Sequence, residues 1–407
     1  MAEFASTTKM NIVILGGSYS GISVAHYVLK HAIPTLPKKQ SYQVIIISSA
    51  TQAMCRPACP RAMISDDMFP QEKLFVEIPK QFEQYPSNNF RFINGIATAV
   101  DHSTRTVSVE FKTGETETLE FFALVVATGA STPSPLLGLN RDETHLKEVW
   151  AKFRSALATS KRIVIAGGGP AGIETAGELG EYLNGRAGFL SSKLESPKVS
   201  ITVLTAGSDI LPALRPSLAK TAEQYLAKVG VTVIKNTRVK HVSPSTAGAD
   251  MNNLTSNASI TLNDDQTMEA DIFVPATGLT PNTSYLAPSL LTSTGQVMTN
   301  PSTLRVDAAG PRIYAIGDAS SSARPAIHNI LAQVPVLGAN LKRDLLLCAG
   351  QSESEAGVEK LFQEDKRETQ MVPIGKSKGV GAAMGWRLPS WMAVSYTHLT
   401  LPTNREV

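Results

Sequence analysis

Residues 163–172 read IVIAGGGPAG, a short apolar run that leads directly into the pattern Gly167-x-Gly169-x-x-Gly172. Between a strand and a helix this pattern predicts a dinucleotide site. The glycines permit a tight turn and let a pyrophosphate approach the backbone amides at the positive end of the helix. A second copy lies at 13–21, VILGGSYSG, with Ser18 in place of the middle glycine. The sequence therefore predicts two strand–turn–helix units of one kind.

An Ala-Thr-Gly tripeptide follows each glycine pattern at a similar distance, at 127–129 and at 276–278. Around both copies, apolar runs typical of buried parallel strands alternate with helical stretches and short β-rich segments. These features predict an α/β fold class with two dinucleotide-binding, Rossmann-like domains, inserted β-meanders and a short C-terminal α+β piece. A protein that holds two dinucleotides side by side is usually built to pass electrons between them.

The order of predicted elements indicates a discontinuous first domain. A strand predicted at 312–318, RIYAIGD, and a helix predicted at 325–347 return the chain to the first unit. The expected parts are a split first domain, an inserted second domain and a C-terminal segment: 1–130 with 279–349, 131–278, and 350–393.

Composition excludes several classes of protein. The 407 residues are 43 % hydrophobic and 18 % charged, which is ordinary for a soluble globular enzyme. A net charge of +3 gives no basic field for nucleic acid. No apolar run is long enough to predict a transmembrane helix, and the first residues do not predict a secretory signal. Three cysteines suit a reducing compartment. We expect a cytoplasmic protein without a metal site.

The last residues, 394–407, read VSYTHLTLPTNREV and resemble the translation of a sequencing-library adapter. We treat this tail as foreign to the fold. The natural C-terminal segment is then expected to be missing from this chain.

Two glutamates follow the second glycine pattern. Glu174 and Glu178 lie four residues apart, so a helix places them on one face. Glu174 would point toward whatever binds above the glycines; the alternative is a favourable acidic residue near a helix N-terminus. At the end of the second strand of each unit, Ser48 and Thr205 stand where an acidic residue would read the ribose. NADPH is therefore not disfavoured, with Arg215 and Lys193 as candidate phosphate partners.

Gly317 and Asp318 close the returning strand. A carboxylate at the carboxyl end of a parallel strand lies at the edge where ligands bind in open α/β sheets. The alternative role for Asp318 is a simple N-cap of the helix that follows.

Cysteines and one histidine form the other candidates. Cys55 and Cys59 lie in MCRPACPR, where nearby arginines could lower a thiol pKa; the alternative is small buried residues. Cys348 is expected to be a packing residue, and His328 to be structural rather than catalytic.

At this point the sequence resembles a known family, the pyridine-nucleotide flavin oxidoreductases. It is most similar to the apoptosis-inducing-factor-like, ferroptosis-suppressor type of NAD(P)H:quinone oxidoreductase in its fungal form. The resemblance rests on LGGSYSGISVAH, the PRA segment at 60–62, GGGPAGIETAGEL, ATGLTPNT, IYAIGDAS and GKSKGVGAAMGW, and covers about residues 10–393.

The resemblance implies a cofactor for each unit. FAD would bind the first domain, at Gly16, Gly17, Ser18, Gly21, Arg61, Thr128, Gly129, Gly317 and Asp318. The co-substrate NAD(P)H would bind the second, at Gly167, Gly169, Gly172, Glu174 and Gly278. Glu174 would position the nicotinamide.

The implied reaction is hydride transfer from NAD(P)H to the flavin and then to a small-molecule quinone. The resemblance also implies a peripheral membrane or lipid contact through the natural C-terminal segment expected to be missing after Met392, at a mitochondrial or lipid-droplet membrane. Two alternatives stay open: a disulfide or peroxide reductase that uses Cys55 or Cys59, and a flavoprotein that senses NAD(P)H and signals without significant turnover. The oligomeric state is left open.

Overall fold

The first glycine turn lies in a seven-stranded sheet, as seen in this computed structural model, which describes residues 9–395. Five strands are parallel; the long fifth strand also pairs antiparallel with the sixth, which in turn pairs antiparallel with the seventh. In spatial order the strands are Ile313–Ala315, Ala123–Val126, Met10–Leu15, Tyr42–Ser48, Phe90–Asp101, Thr106–Phe111 and Thr116–Glu120. The first and second of these confirm the return of the chain to this sheet.

The second glycine turn lies in a four-stranded, fully parallel sheet within the described residues. Its strands in spatial order are Val231–Ile234, Ser200–Leu204, Arg162–Ala166 and Ile272–Pro275. One of the predicted β-meanders forms a separate antiparallel sheet of three strands, Val239–Ser243, Ala258–Leu262 and Thr267–Ala270. The mixed α/β class with Rossmann-like parallel sheets is thus confirmed, whereas the exact domain limits stay a prediction.

Helices pack on one face of each parallel sheet; the other face of the first sheet packs against its own antiparallel extension and segment 286–319, and that of the second against the separate antiparallel sheet. The longer ones are Tyr19–Tyr27, Glu143–Leu157, Pro170–Asn184, Pro216–Ala227 and Ile327–Cys348. Short helices are Cys59–Ala62, Gln71–Leu74, Glu353–Ala356 and Ser390–Ser395, and a π-helical turn, Val28–Ala32, extends the first. None of the helices in residues 9–395 has both the length and the apolarity needed to cross a bilayer.

The core follows from the apolar strands. Strand Met10–Leu15 has neighbours on both sides, and its side chains Ile12, Val13 and Ile14 are fully buried. Two apolar clusters, one on each face of the first sheet, hold the sheet between layers. This burial places the carboxyl ends of the strands, and the glycine turns that follow them, at the edge of the core.

The C-terminal piece is a small antiparallel sheet, Gln370–Pro373, Gly379–Ala383 and Trp386–Arg387, followed by the last short helix. The polar segment before it is held by ion pairs to different parts of the chain. Arg324 pairs with Glu364 at 3.0 Å and Arg215 with Glu368 at 2.5 Å. The tail interpreted as foreign lies outside the described residues from 396 onward.

Element bounds differ from the sequence prediction in an instructive way. The sequence predicts helices that begin at Ile22 and Ile173 after the two glycine turns, whereas in the structure they begin at Tyr19 and Pro170. The first helical turn points its amides outward and needs no apolar side chain, so apolar periodicity misses it. Strand Thr116–Glu120 was missed because it is a mostly exposed edge strand with polar residues.

Candidate functional site

The two glycine turns have the same backbone arrangement. Gly16 N donates to Ile47 O at 2.8 Å, and Gly167 N donates to Leu204 O at 2.8 Å, so each turn is tied to the neighbouring parallel strand. On the other side, Ala127 N donates to Leu15 O and Ala276 N to Ala166 O. Each Ala-Thr-Gly tripeptide therefore begins beside the corresponding glycine turn.

The first glycine of each turn has a backbone that other residues rarely adopt. Gly16 has φ +114° and Gly167 has φ +134°. A Cβ at Gly16 would lie 2.6 Å from the carbonyl carbon of Ala127, and one at Gly167 would lie 2.7 Å from that of Ala276. Both positions therefore require glycine on two grounds, conformation and space.

The middle position of the turn is where the structure leaves room for a ligand. A Cβ built on Gly169 meets no atom within 4 Å, and Gly169 caps helix Pro170–Asn184 without a side-chain hydrogen bond. The equivalent Ser18 is exposed, and its side chain does not cap helix Tyr19–Tyr27 either. Backbone amides at both helix N-termini are thus directed at open space, which fits the pyrophosphate of a dinucleotide.

Asp318 and the cysteine segment come together at the same edge of the first sheet. Asp318 lies in the short 3₁₀ turn Gly317–Ala319, and its Oδ2 is 3.5 Å from Arg56 Nη1. Burial raises the pKa of Asp318, and Arg56 opposes this shift. The next helix begins only at Ile327, with Ala326 as its N-cap, so Asp318 is not that helix's cap.

Arg61 and Glu178 form a buried ion pair that joins the two units. Arg61 Nη2 lies 2.6 Å from Glu178 Oε1, and the two side chains are 5 % and 2 % exposed. Arg61 Nη2 also donates to Gly375 O in the C-terminal piece at 3.3 Å. The helix of the second turn, the short helix Cys59–Ala62 of the first unit and the C-terminal piece therefore meet at one point.

Glu174 lies one helical turn before Glu178 and is also buried, with 9 % of its surface exposed. Burial raises the pKa of Glu174 well above its usual value, the neighbouring Glu178 raises it further, and Arg61 opposes both. The environment of Glu174 therefore favours its neutral, protonated form. A solvated acid that serves only the helix dipole would be exposed and ionised, so that alternative does not describe this residue.

Cys55 and Cys59 are buried free thiols, and their pKa values are raised rather than lowered. Burial raises the pKa of Cys59 to about 12, and its Sγ donates to Leu136 O at 3.2 Å. Burial also raises the pKa of Cys55, which accepts a hydrogen bond from Tyr19 Oη at 3.5 Å. The expectation for Cys348 is wrong, because the end of its helix faces solvent and leaves the thiol exposed beside Arg312.

Hydrogen bonds between Thr128, a predicted FAD-site residue, and Asn282, which the sequence prediction did not single out, hold the crossing between the two sheets together. Strand Ala130–Ser131 pairs with Thr280–Pro281. Thr128 Oγ1 donates to Asn282 O at 2.6 Å, and Asn282 Nδ2 donates to Thr128 O at 3.0 Å. Thr128 thus anchors this crossing through its side chain. Asn282 lies in the quoted ATGLTPNT motif, but its partner became visible only in the fold.

Other predicted residues are placed as follows. Gly129 and Gly278, at the entry to and exit from the crossing, both have positive φ and no atom within 4 Å of a built Cβ. The candidate phosphate partners are engaged elsewhere: Arg215 with Glu368, and Lys193 with Glu195 at 3.2 Å. His328 lies in the first turn of helix Ile327–Cys348, and burial lowers its pKa. No cluster of three or more metal-ligating side chains occurs within residues 9–395.

Known proteins resemble this chain in sequence and in fold. Residues 8–336 match the family model of the pyridine nucleotide-disulphide oxidoreductases. The oxidoreductase phnG of Penicillium herquei is 60 % identical over 392 residues, which is 96 % of this chain and 94 % of that protein. Ferroptosis suppressor protein 1 of Xenopus laevis is 23 % identical over 60 % of this chain and 57 % of its own length.

A solved structure supports the fold assignment. NDH2 from Plasmodium falciparum in complex with NADH superposes with a TM-score of 0.62 at 14 % identity, and covers 95 % of this chain and 93 % of that one. At this level of identity the likeness establishes the fold alone.

Proposed function

The chain belongs to the pyridine nucleotide-disulphide oxidoreductase family, and from this premise we propose that it transfers hydride from NAD(P)H through FAD to a quinone-type acceptor. It is an oxidoreductase of the NAD(P)H-dependent FAD superfamily. The observation that carries the proposal is the Arg61–Glu178 pair, which joins the helix of the second glycine turn to the first unit. It brings the two dinucleotide sites together, as electron transfer between them requires.

The residues around each turn fit the groups that the proposal needs. FAD would bind at the first turn with Asp318, Gly317, Thr128 and Gly129 near it, and NAD(P)H at the second turn beneath Gly278. FAD supplies the two-electron chemistry when it is bound. The protein supplies open amides at two helix N-termini, close backbone approach, and a buried region between the units from which water is excluded.

Glu174 is proposed to position the nicotinamide. A neutral carboxylic acid carries one O–H donor and one carbonyl acceptor, which complement the amide of a carboxamide group. The raised pKa of Glu174 favours the protonated form that carries this donor. An ionised carboxylate there would lose the donor and orient the ring less well.

The first experiment is spectroscopic. The purified protein is expected to be yellow, to bleach anaerobically on addition of NADH or NADPH, and to recover on addition of a simple quinone. E174Q preserves a donor and an acceptor and should bleach at nearly the wild-type rate, whereas E174A should slow reduction without losing flavin. A colourless protein that binds no FAD would overturn the proposal.

Two rival functions are separated by the same assay. A thiol-based reductase would need Cys55 or Cys59, but burial disfavours both thiolates. C55S and C59S should therefore keep quinone turnover; its loss in either variant would favour that rival. A sensing flavoprotein would be reduced by NAD(P)H yet turn over below about 1 s⁻¹ with quinone.

The finer family type, the acceptor and the location belong to this proposal. We place the chain with the ferroptosis-suppressor type on the motifs quoted above and the low-identity match to such a protein. A quinone acceptor and a cytoplasmic location, with lipid contact through the C-terminal segment, follow from that type and stay predictions.

A further inference from the structure

An unusual loop joins helix Pro170–Asn184 to strand Ser200–Leu204. Residues 185–199 contain neither helix nor strand, whereas connections of this type usually take about two to six residues. Long connections of this kind in compact domains often have a function. The loop lies at the end of the helix opposite to the second glycine turn, so it is remote from the nucleotide-binding edge.

The loop is held in place by its own backbone. Ala187 N donates to Lys228 O at 2.8 Å, and Leu194 N donates to Ala227 O at 3.0 Å. At its apex, Ser191 N donates to Gly188 O at 3.1 Å and closes a tight turn. These bonds dock both sides of the loop on the end of helix Pro216–Ala227 and project the apex from the surface.

The apex carries two large apolar side chains in contact with water. Phe189 is 94 % exposed and Leu190 is 96 % exposed, and the two are adjacent in sequence. Lys228 Nζ donates to Phe189 O at 3.4 Å, which braces the apex from below. Isolated exposed apolar residues are common, but two such neighbours at the tip of a docked loop expose apolar area that can be buried only by a partner.

The surroundings of this tip are basic. The loop contains Arg186, Lys193 and Lys198. Arg186 pairs with Glu181 of the preceding helix at 3.0 Å and Lys193 with Glu195 at 3.2 Å, whereas Lys198 is exposed to solvent. Lys161 adds a further exposed cation at the same edge of the sheet, because Ser200 N donates to Lys161 O at 2.8 Å. A partner surface that fits the tip is therefore apolar where it receives Phe189 and Leu190 and anionic where it meets the surrounding lysines.

We propose that Phe189 and Leu190 insert into the surface of an anionic phospholipid bilayer, with the surrounding lysines beside the lipid phosphates. A bilayer suits the tip better than a protein partner. Two side chains are far too small for a stable protein interface, which buries about 800 Å² on each side, whereas a fluid apolar layer needs no complementary shape. Lysine stems can lie along the boundary and keep their charges in water.

The test is co-flotation of the purified full-length protein with phosphatidylcholine vesicles that contain or lack phosphatidylserine. The wild type should bind the anionic vesicles at low salt and be released at high salt. F189S/L190S should bind at least about tenfold less, because it removes two insertable side chains. Both residues are exposed, so this variant should keep the wild-type melting temperature.

Two control variants separate the tip from other apolar surface. V358S/L361S removes a pair that is 79 % and 67 % exposed elsewhere and should bind like the wild type. W386S/W391S removes exposed tryptophans of the C-terminal piece, which is a second exposed aromatic site. If this variant loses binding and F189S/L190S does not, the tip proposal is wrong.

Other outcomes are equally decisive. Failure of the wild type to bind anionic vesicles at low salt would overturn the proposal. A change of oligomeric state in F189S/L190S, without a change in vesicle binding, would replace the bilayer by a second copy of the chain. Turnover with a soluble quinone should be unchanged in F189S/L190S, so this test succeeds or fails independently of the proposed reaction.

Discussion

The two glycine turns are nearly equivalent in backbone but differ in the polar groups that their helices carry. A Cβ built on Gly17 would meet Ser48, and one built on Gly168 would meet Thr205. Both partners lie at or just after the end of the neighbouring strand. Gly21 and Gly172 both lie against the carbonyl of the first glycine of their turn. The backbone requirements of a dinucleotide turn have thus been met twice in the same way.

The helices above the turns differ. In the first helix, Ser23 and Tyr27 occupy the places that Glu174 and Glu178 occupy in the second. Tyr27 lies against Gly338 of the long helix, where a Cβ would meet the Tyr27 ring at 2.5 Å or closer, so this helix is used for packing. The second helix instead carries two buried carboxyls that face Arg61. The comparison teaches that the turn selects a dinucleotide, whereas the helix face adapts the site to its chemistry.

The strongest way to break the comparison is to add a methyl group to each first glycine. G16A should yield protein without flavin, whereas G167A should stay yellow and be reduced by NAD(P)H at least about 100-fold more slowly, because each added Cβ displaces its own turn. Absorbance of the purified proteins and stopped-flow reduction give the two readings.

G188A is the matched control, since a Cβ at Gly188 meets no atom within 4 Å. It should behave like the wild type. If G16A and G167A both lost only nicotinamide reduction, the assignment of one cofactor to each turn would be wrong.

The next test removes the ion pair that only the second helix makes. R61A leaves Glu178 buried without its partner and should lower the free energy of unfolding by about 3–5 kcal/mol. Urea denaturation measures this. D265N breaks the exposed Asp265–Lys240 pair, which has the same 2.6 Å separation, and should cost less than about 1 kcal/mol. Equal losses of unfolding free energy in R61A and D265N would show that burial does not increase the contribution of the Arg61–Glu178 pair to stability.

The two helices should also respond to pH in opposite directions. Burial, assisted by Lys30, lowers the pKa of His26 in the first helix to about 4. Between pH 6.5 and 4 the unfolded chain therefore binds a proton at His26 that the folded chain does not bind. The free energy of unfolding falls by up to about 3 kcal/mol over this range. Glu174 has a raised pKa, so the folded chain keeps a proton that the unfolded chain releases. Stability therefore falls as pH rises above about 4.5.

Denaturation across this pH range measures both slopes. H26Q should reduce the loss on the acid side alone, and E174Q the loss on the alkaline side alone. Each variant is the control for the other. An unchanged slope in both would contradict the burial argument.

The smallest effect is expected from exchanging the middle residues of the turns. G169S should fold normally, because the space around Gly169 is open, but its side chain would occupy the approach of the pyrophosphate and raise KM for NAD(P)H about tenfold with little change in kcat. S18G should leave flavin content unchanged. A G169S protein with wild-type KM would place the cofactor away from this turn.

Much of the fold was accessible from local pattern. Apolar runs alone predict strands at 231–234 and 162–166, and the structure has strands Val231–Ile234 and Arg162–Ala166. The agreement is exact because a continuous apolar run bounded by turn residues has few other interpretations. The returning strand was placed correctly but ends at Ala315, before the Gly-Asp pair, since Gly317 with φ +73° turns the chain out of the sheet. Exposure of the thiol of Cys348 could not be foreseen, because it depends on where the helix end meets solvent.

By itself the sequence determined the two glycine turns, their strands and the face shared by Glu174 and Glu178, because these depend on residues close together in the chain. Only the tertiary structure decided that Arg61 lies against Glu178, that Gly375 closes the same point, and that Cys55 and Cys59 are buried. The two contacts of Arg61 join residues more than a hundred positions apart, and burial in three dimensions shifts the pKa of Glu178, Cys55 and Cys59. The fold therefore converts two similar turns into two different sites.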